Sequence, residues 1–578
     1  MDLTWNRNDL YISLDTILSS LGEQMHDLKK RMEAFKADDS TWIKETILAF
    51  QDVFGKCYEA VECAICLTSI DTKDTQAKNY DQEANSCFSQ YLQLEAQLKE
   101  ELSQLSEQQW KSVIRDGQMQ AILPAIQKWR QYDVRERPFI DLEQHGLHGW
   151  GELYQMASDR VKLTVDDRIF RANQATRVVY YNDNRNERLD AFEDWKAEWG
   201  KVSDLTSTAL NHSVGFRLIS DHTSTYAKSL EANRIEQKSV QQMWNVVSKA
   251  KQPFLDFLKR KADLQHAGEV HWTDQFAPLP YRSYNTKLPL KEGLDMMVTS
   301  LNGFDPRLGD FVTKAVREGW IDASVTSDKS TGAFCAVLPS RKQCRVMHHD
   351  SEDIQGIGVL AHELGHAYHY GILQKQPMYM QDCPQAFTEI ASTLFETIVM
   401  EEAITHSTNP LEKMHLLDNQ ISRDIGTILN SHVRHLFEMK FYKERSEGSI
   451  SVNRMNDLMV DVQKEVFDHT FSQYDPTFWA SLRHFYFMRK PFGHYPYTVA
   501  HLLSTGIYHQ IKNKENRGDL LDALLADTSS LTIEELAYKH LQEDLSTGML
   551  WEDALQSMFE NIERFTNLTR KVESELSL

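Results

Sequence analysis

The chain has 578 residues, 41% hydrophobic and 25% charged, with a formal net charge of −21 at pH 7 and a mean hydropathy of −0.50. That composition is ordinary for a folded globular protein, and the acidic balance argues against nucleic acid or an anionic membrane as partner, because both are bound through basic faces. No run approaches the roughly 18 apolar residues of a membrane span, and the start, MDLTWNRNDL, lacks the basic end and apolar stretch of a signal peptide, so a cytoplasmic location is expected.

Length suggests about three to four domain-sized units, which a helical protein can merge into one body. Tyr91, Leu94, Leu98, Leu102 and Leu105 recur at three- and four-residue steps between polar neighbours, the pattern of an amphipathic helix. Similar spacing runs through much of residues 10–130, 410–470 and 515–575, so a mostly helical fold is expected. With 24 Gly and 14 Pro, turn formers are too sparse for a many-stranded architecture. They cluster at QPFLDF (252–257), FAPLPYRSYNTKLPLKEG (276–293) and KPFGHYPYT (490–498). The seven cysteines are scattered and odd in number, which fits a reducing compartment. Cys63 and Cys66 form a C-x-x-C inside an apolar helical stretch with no second pair to complete a metal site, so both are expected to be buried structural thiols.

One segment reads as extended. GAFCAVLPSRKQCRVMHHD (332–350) has short apolar runs broken by Pro-Ser-Arg-Lys, as in a small hairpin. Such a strand either pairs with an added extended peptide or merely packs on the helix that follows. That helix, about 352–373, opens after acids that suit a helix N-terminus and carries an apolar stripe of Ile357, Leu360, Leu364 and Ala367. His362 and His366 lie on a neighbouring stripe, four residues apart and on one face, with Glu363 between them.

A His-Glu-x-x-His pattern arises by chance about 0.05 times in a chain of this composition, so a second constraint is required. Catalytic zinc commonly takes three protein ligands and leaves a fourth position to water. CPQAFTEIASTLFETIVM (383–400) reads as a helix over about 384–401 with Phe387, Ile390, Leu394 and Ile398 inward. Glu389 falls 23 residues after His366, enough for one helix to end and an antiparallel one to return with a carboxylate for the metal. Glu396, two turns further along the same face, is placed to hydrogen-bond a ligand histidine. His369 is an alternative ligand, but it points partly off the metal face and reads as structural. In this arrangement zinc acidifies water and polarises a peptide carbonyl, Glu363 is the general base, and the oxyanion needs a donor.

Four segments in order, GAFCAVLP (332–339), LAHELGHAYH (360–369), AFTEIASTLFE (386–396) and HFYFMRKPFGHYPYT (484–498), together resemble the thimet oligopeptidase and oligoendopeptidase F family, most closely the bacterial oligoendopeptidase F branch. DQFAPLP (274–280) is a weaker match to its catalytic-domain entry. The likeness is clear over residues 190–578, which implies a helical N-terminal domain over 1–190 and a catalytic domain over 191–578. It implies a large helical two-lobed body with a deep central channel and a small sheet beside the active site. It also implies one zinc ion per chain on His362, His366 and Glu389, Glu363 as catalytic carboxylate, oligopeptides as substrates, and no obligate protein partner. From the C-terminal segment (484–501) it implies His484 and Tyr497 as transition-state donors, with Tyr486, His494 and Tyr495 as substrate contacts. Gly493 stands where that branch often has a tyrosine, and His494 and His501 replace other residues. Two other readings stay open: a binding protein that keeps the fold without turnover, and an exopeptidase, which needs a charged anchor for a peptide terminus that the sequence does not reveal.

Overall fold

In the computed structural model the described residues are 3–165, 167–221, 224–281, 287–326, 328–330, 332–349 and 352–576. Residues 282–286 of the turn-rich stretch, and Asp350 at the end of the hairpin segment, lie outside them. Helices dominate, as the amphipathic spacing requires, and among the described residues none is long and apolar enough to cross a membrane. The chain packs as two compact units, each assembled from three segments. Residues 1–141, 287–399 and 511–532 form the first, and 142–286, 400–510 and 533–578 the second. The division expected at 190/191 falls within one segment, 142–286, of the second unit.

The first unit opens with three long helices, Arg7–Glu33, Ser40–Ile70 and Thr75–Ser103. Each starts at an Asn or Asp cap (Asn6, Asp39, Asp74) whose side chain accepts a first-turn N–H, satisfying donors that have no partner within the helix. Their apolar faces meet in one core, where Leu10, Leu14, Phe50, Tyr91, Leu98 and Leu102 are buried. Leu94 of the predicted stripe is only half-buried and Glu95 is buried instead. There Glu95 accepts from the Tyr91 hydroxyl at 2.7 Å and from Lys99 at 2.6 Å. Cys57, Cys63 and Cys66 are free and buried in this core, and burial pushes the Cys57 and Cys63 thiols up to about 12, which suppresses thiolate chemistry.

The expected hairpin is present. Strands Phe334–Leu338 and Gln343–Met347 pair antiparallel, with Cys335 opposite Val346 and Val337 opposite Cys344. The turn at Pro339–Arg341 closes through Lys342 at φ +52°. A short strand, Ile321–Asp322, adds parallel to the far side of Gln343–Met347, leaving Phe334–Leu338 as an edge. That edge is not open along its length: Glu62 of the helix Ser40–Ile70 accepts the Val337 N–H at 3.3 Å, and Glu59 accepts from the Ser340 N–H at 2.7 Å. Side-chain acceptors thus cover part of the row that strand addition would use.

The second unit holds the helices Ser203–Ser220, Gln237–Ala250, Gln252–Leu264, Ser431–Arg445 and Met549–Leu576, among others. It also has a hairpin, Lys162–Val165 with Arg168–Arg171, too short to stand out from the sequence. Pro253, counted among the turn formers, sits in the first turn of the helix Gln252–Leu264, where its missing N–H costs nothing.

Candidate metal centre

Two helices build the site. Ile354–Leu373 carries the histidines and is capped by Asp353, which accepts the Gly356 N–H at 2.8 Å, so the predicted acids precede the helix rather than fill its first turn. Gln385–His406 carries the carboxylates and runs five residues past the expected end. The predicted stripes Ile357, Leu360, Leu364, Ala367 and Phe387, Ile390, Leu394, Ile398 are all buried. Rising numbers on one helix meet falling numbers on the other: Gly358 faces Glu396, Gly365 faces Ser392, and His366 faces Glu389. The pair is antiparallel.

Gly365 sets how closely they approach. A Cβ there would lie 2.5 Å from Ser392 Cα and 2.7 Å from Ala391 O, so the two backbones touch and only glycine fits. This contact brings the short Glu389 side chain to both imidazoles. Its Oε2 is 3.2 Å from His362 Nε2 and 3.8 Å from His366 Nε2, and the three ligand atoms lie within 4.8 Å of one another. The imidazole rings stand 4.9 Å apart and nearly perpendicular.

The surrounding groups orient this set. Glu396 Oε2 lies 3.4 Å from His362 Nδ1, the ring nitrogen that does not point at Glu389, which fixes the ring and leaves Nε2 as the donor. Ser392 Oγ donates to Glu389 Oε2 at 3.3 Å. Burial raises the Glu389 carboxyl, but the His362 bond and the His366 charge outweigh it and hold the group below the usual range. Burial also opposes charge on His362, yet the bonds to Glu389 and Glu396 raise it to about 10. Glu363 is 8% exposed, and burial pushes its carboxyl up to about 7, with the charges of Glu389 and Glu396 adding to the rise and His362 opposing it. Two imidazole nitrogens, of which His362 would give up its proton to a metal, and one carboxylate oxygen converge among the further carboxyls of Glu363 and Glu396, a donor set for a divalent transition metal. The cluster carries the charge that such an ion would compensate.

His369 faces away. It is buried, and its Nε2 is 2.7 Å from Thr528 Oγ1. Cys383 donates to the carbonyl of the same threonine at 3.4 Å, so Thr528 ties the end of the histidine helix to the approach to the carboxylate helix. Between the helices, the Tyr379 hydroxyl lies 2.9 Å from that of Tyr91, joining this connection to the N-terminal helices.

The predicted donors of the C-terminal segment belong to the second unit. His484 and Tyr497 are half-buried, with ring centroids 6.3 Å apart. His494 is 1% exposed, its ring 5.4 Å from that of His484, and neither ring nitrogen has a hydrogen-bond partner among the described residues. Burial, with the Arg434 and His484 charges, holds it well below the usual imidazole value. Tyr486 and Tyr495 are buried and spend their hydroxyls internally. Tyr486 stacks on Tyr154 at 3.7 Å and donates to Trp479 O, and Tyr495 donates to Ser229 O at 2.9 Å. Sequence reasoning missed Gly365, although a glycine inside an apolar helical pattern is a signal.

Residues 298–556 match the model of Peptidase family M3. An oligoendopeptidase F homolog of Lactococcus lactis subsp. lactis is 21% identical over 541 residues, covering 88% of this chain and 86% of its own. One of Borreliella burgdorferi is 23% identical over 363 residues, covering 61% and 60%. Among solved structures, a putative peptidase from Chlamydophila abortus superposes with a TM-score of 0.79 at 17% identity over 98% of both chains. Oligoendopeptidase F from Enterococcus faecium superposes with 0.71 at 14% identity over 97% of this chain and all of its own. The fold is that of oligoendopeptidase F structures.

Proposed function

We propose that the chain, whose residues 298–556 match the model of Peptidase family M3, is a metalloendopeptidase that hydrolyses internal bonds of short unstructured peptides with one zinc ion held by His362, His366 and Glu389. The observation that carries this reading is the convergence of those three ligand atoms beside the buried carboxyl of Glu363. When bound, zinc supplies Lewis-acid polarisation and a lowered water pKa. The chain's own residues do the rest. Glu363, adjacent to the ligand set and disposed by burial to hold a proton near neutral pH, takes a proton from the attacking water and delivers it to the leaving amine. Glu396 keeps His362 in the tautomer that presents Nε2.

His484 and Tyr497 are the donors we assign to the developing oxyanion, with His494 beside them, while Tyr486 and Tyr495 support the segment by packing. The restriction to short peptides is supported by the oligoendopeptidase names of the relatives. A cytoplasmic location is supported by seven free cysteines.

The test is mass spectrometry of an unstructured, end-blocked decapeptide incubated with the purified protein, with and without a zinc chelator. Internal cuts that vanish with the chelator are expected. Cuts only at the ends of an unblocked analogue would instead favour an exopeptidase, and zinc retention without any cut would favour a binding protein.

A further inference from the structure

The histidine helix is held at two levels. At one, Gly365 seats it against the backbone of Ser392 and Ala391. Within the next turn it is bonded to the helix Arg517–Asp527 and to Thr528, which ends that helix, a segment of the same compact unit. The Tyr368 hydroxyl donates to Asp522 Oδ1 at 2.5 Å, and Asp522 Oδ2 accepts from Arg307 Nη1 at 2.9 Å. His369 Nε2 is 2.7 Å from Thr528 Oγ1, and both residues are buried. The Thr528 hydroxyl donates to Leu525 O at 2.6 Å, so its single proton is spent and it accepts from the imidazole, which places the His369 proton on Nε2. The Thr528 carbonyl in turn accepts from Cys383 Sγ at 3.4 Å, just before the carboxylate helix begins at Gln385. The segment is closely seated, since a Cβ at Gly518 would collide with Asp305 and Arg307.

We propose that Thr528 is a positioning residue of the metal centre: by holding His369 it sets the turn that aims the His366 imidazole at Glu389. His369 follows His366 by three residues and lies about 60° from it round the helix axis, so a displacement of one is carried to the other through a single turn of hydrogen-bonded backbone. Backbone contact at one glycine permits the helix to roll. Bonds from the adjacent Tyr368 and His369 to one segment do not, because a hydrogen bond between buried partners prefers one length and direction. His366 is also where a roll would matter, since its Nε2 is 3.8 Å from Glu389 Oε2 while His362 Nε2 is 3.2 Å away. Metal–ligand distances tolerate only about 0.2 Å. His369 thus serves as a neutral donor, and Thr528, 159 residues further along the chain, acts on the site through it. This inference rests on the metal-site reading and adds to it the group that orients the second histidine.

The experiment uses the full-length protein freed of metal and reloaded with zinc, or with cobalt(II), whose visible absorption reports the geometry of its ligands. What positions the ligands must by linkage be tightened by the metal. Zinc is therefore expected to slow amide hydrogen exchange of the wild type in residues 517–528 more than in the N-terminal helix Arg7–Glu33. Thr528→Val removes the acceptor at nearly constant shape. Its zinc affinity, read by competition with a chelating dye, is expected to fall about tenfold, and its cobalt absorption to shift. Thr528→Ser keeps the hydroxyl and should return both to the wild-type values; a serine variant as weak as the valine one assigns the effect to packing and overturns the proposal. His369→Leu removes the donor without stranding it and should weaken zinc as Thr528→Val does, so the outcome does not hang on the valine variant folding. Zinc-loaded wild type with equal slowing in the two segments overturns the proposal before any variant is made. So does a folded Thr528→Val or His369→Leu variant whose melting temperature falls while zinc affinity and cobalt absorption stay as in the wild type, since the bond is then structural only. Wild type that retains neither metal overturns the metal-site reading, and this inference with it.

Discussion

Glu363 and Glu396 are both buried carboxylates near His362, yet they meet it differently: Glu396 bonds the ring at Nδ1, whereas Glu363 acts on it only through its charge. The two substitutions should therefore separate. Glu363→Gln is expected to lower kcat by about 10²–10⁴-fold with zinc content unchanged by elemental analysis; activity near wild type would remove Glu363 as the base. Glu396→Ala frees the His362 ring and is expected to weaken zinc affinity by about 10–100-fold, read by competition with a chelating dye. Asp322, which is not among the candidate ligands, shows what a buried ion pair does in this chain. Burial raises its carboxyl, but Lys329 Nζ at 2.6 Å, with Ser324 and the Trp5 N–H, outweighs that and holds it below the usual range. A depressed carboxyl contributes stability that is fully present above its unfolded value, about 3.9, and is lost as pH falls through the folded value. Asp322→Asn should cost about 3–5 kcal/mol at neutral pH by leaving Lys329 buried and uncompensated, and should flatten the acid limb of the melting temperature against pH. An unchanged acid limb would mean that other carboxylates govern acid unfolding. At this scale the convergence of His362, His366 and Glu389 was legible because helical spacing converts directly into a shared face. Tyr486 and Tyr495 were not, because an aromatic in a motif looks the same whether its hydroxyl is spent on a backbone carbonyl or offered to a ligand.

The histidine helix and the carboxylate helix were each readable from apolar period and terminal residues, and their pairing from the 23 residues between His366 and Glu389. The depth of their contact was not. It depends on Gly365, whose missing Cβ lets Ser392 and Ala391 approach the facing backbone. Gly365→Ala must part the helices at that level, which is expected to cost about 1–3 kcal/mol in overpacking and, by drawing Glu389 from the two imidazoles, to reduce retained zinc. Thermal melts with and without added zinc check this, and an alanine variant that binds zinc as the wild type does would show that the helices slide to absorb the methyl. The edge strand Phe334–Leu338 is a second case. Alternating apolar runs identify a strand, but its outward Val337 N–H is met by Glu62, some 270 residues earlier in the chain.

Across the whole molecule, the N-terminal helices pack in the same unit as the metal helices rather than apart from them. Glu59 and Glu62 bind the hairpin, Tyr91 meets Tyr379, and the Trp5 N–H donates to Asp322 at 3.0 Å. A fragment of residues 191–578 would expose the apolar side of that core and lose these acceptors. It is expected to be insoluble or to bind no zinc; a soluble fragment with a cooperative melt and bound zinc would show instead that the catalytic segment folds alone. The sequence by itself determined the helical class and the grouping of His362, His366 and Glu389, because periodicity and local spacing are properties of one or two neighbouring helices. Only the tertiary structure decided which helices share a core and how closely the histidine and carboxylate helices touch. Those depend on contacts between residues hundreds of positions apart, and no local pattern in the chain encodes the distance between them.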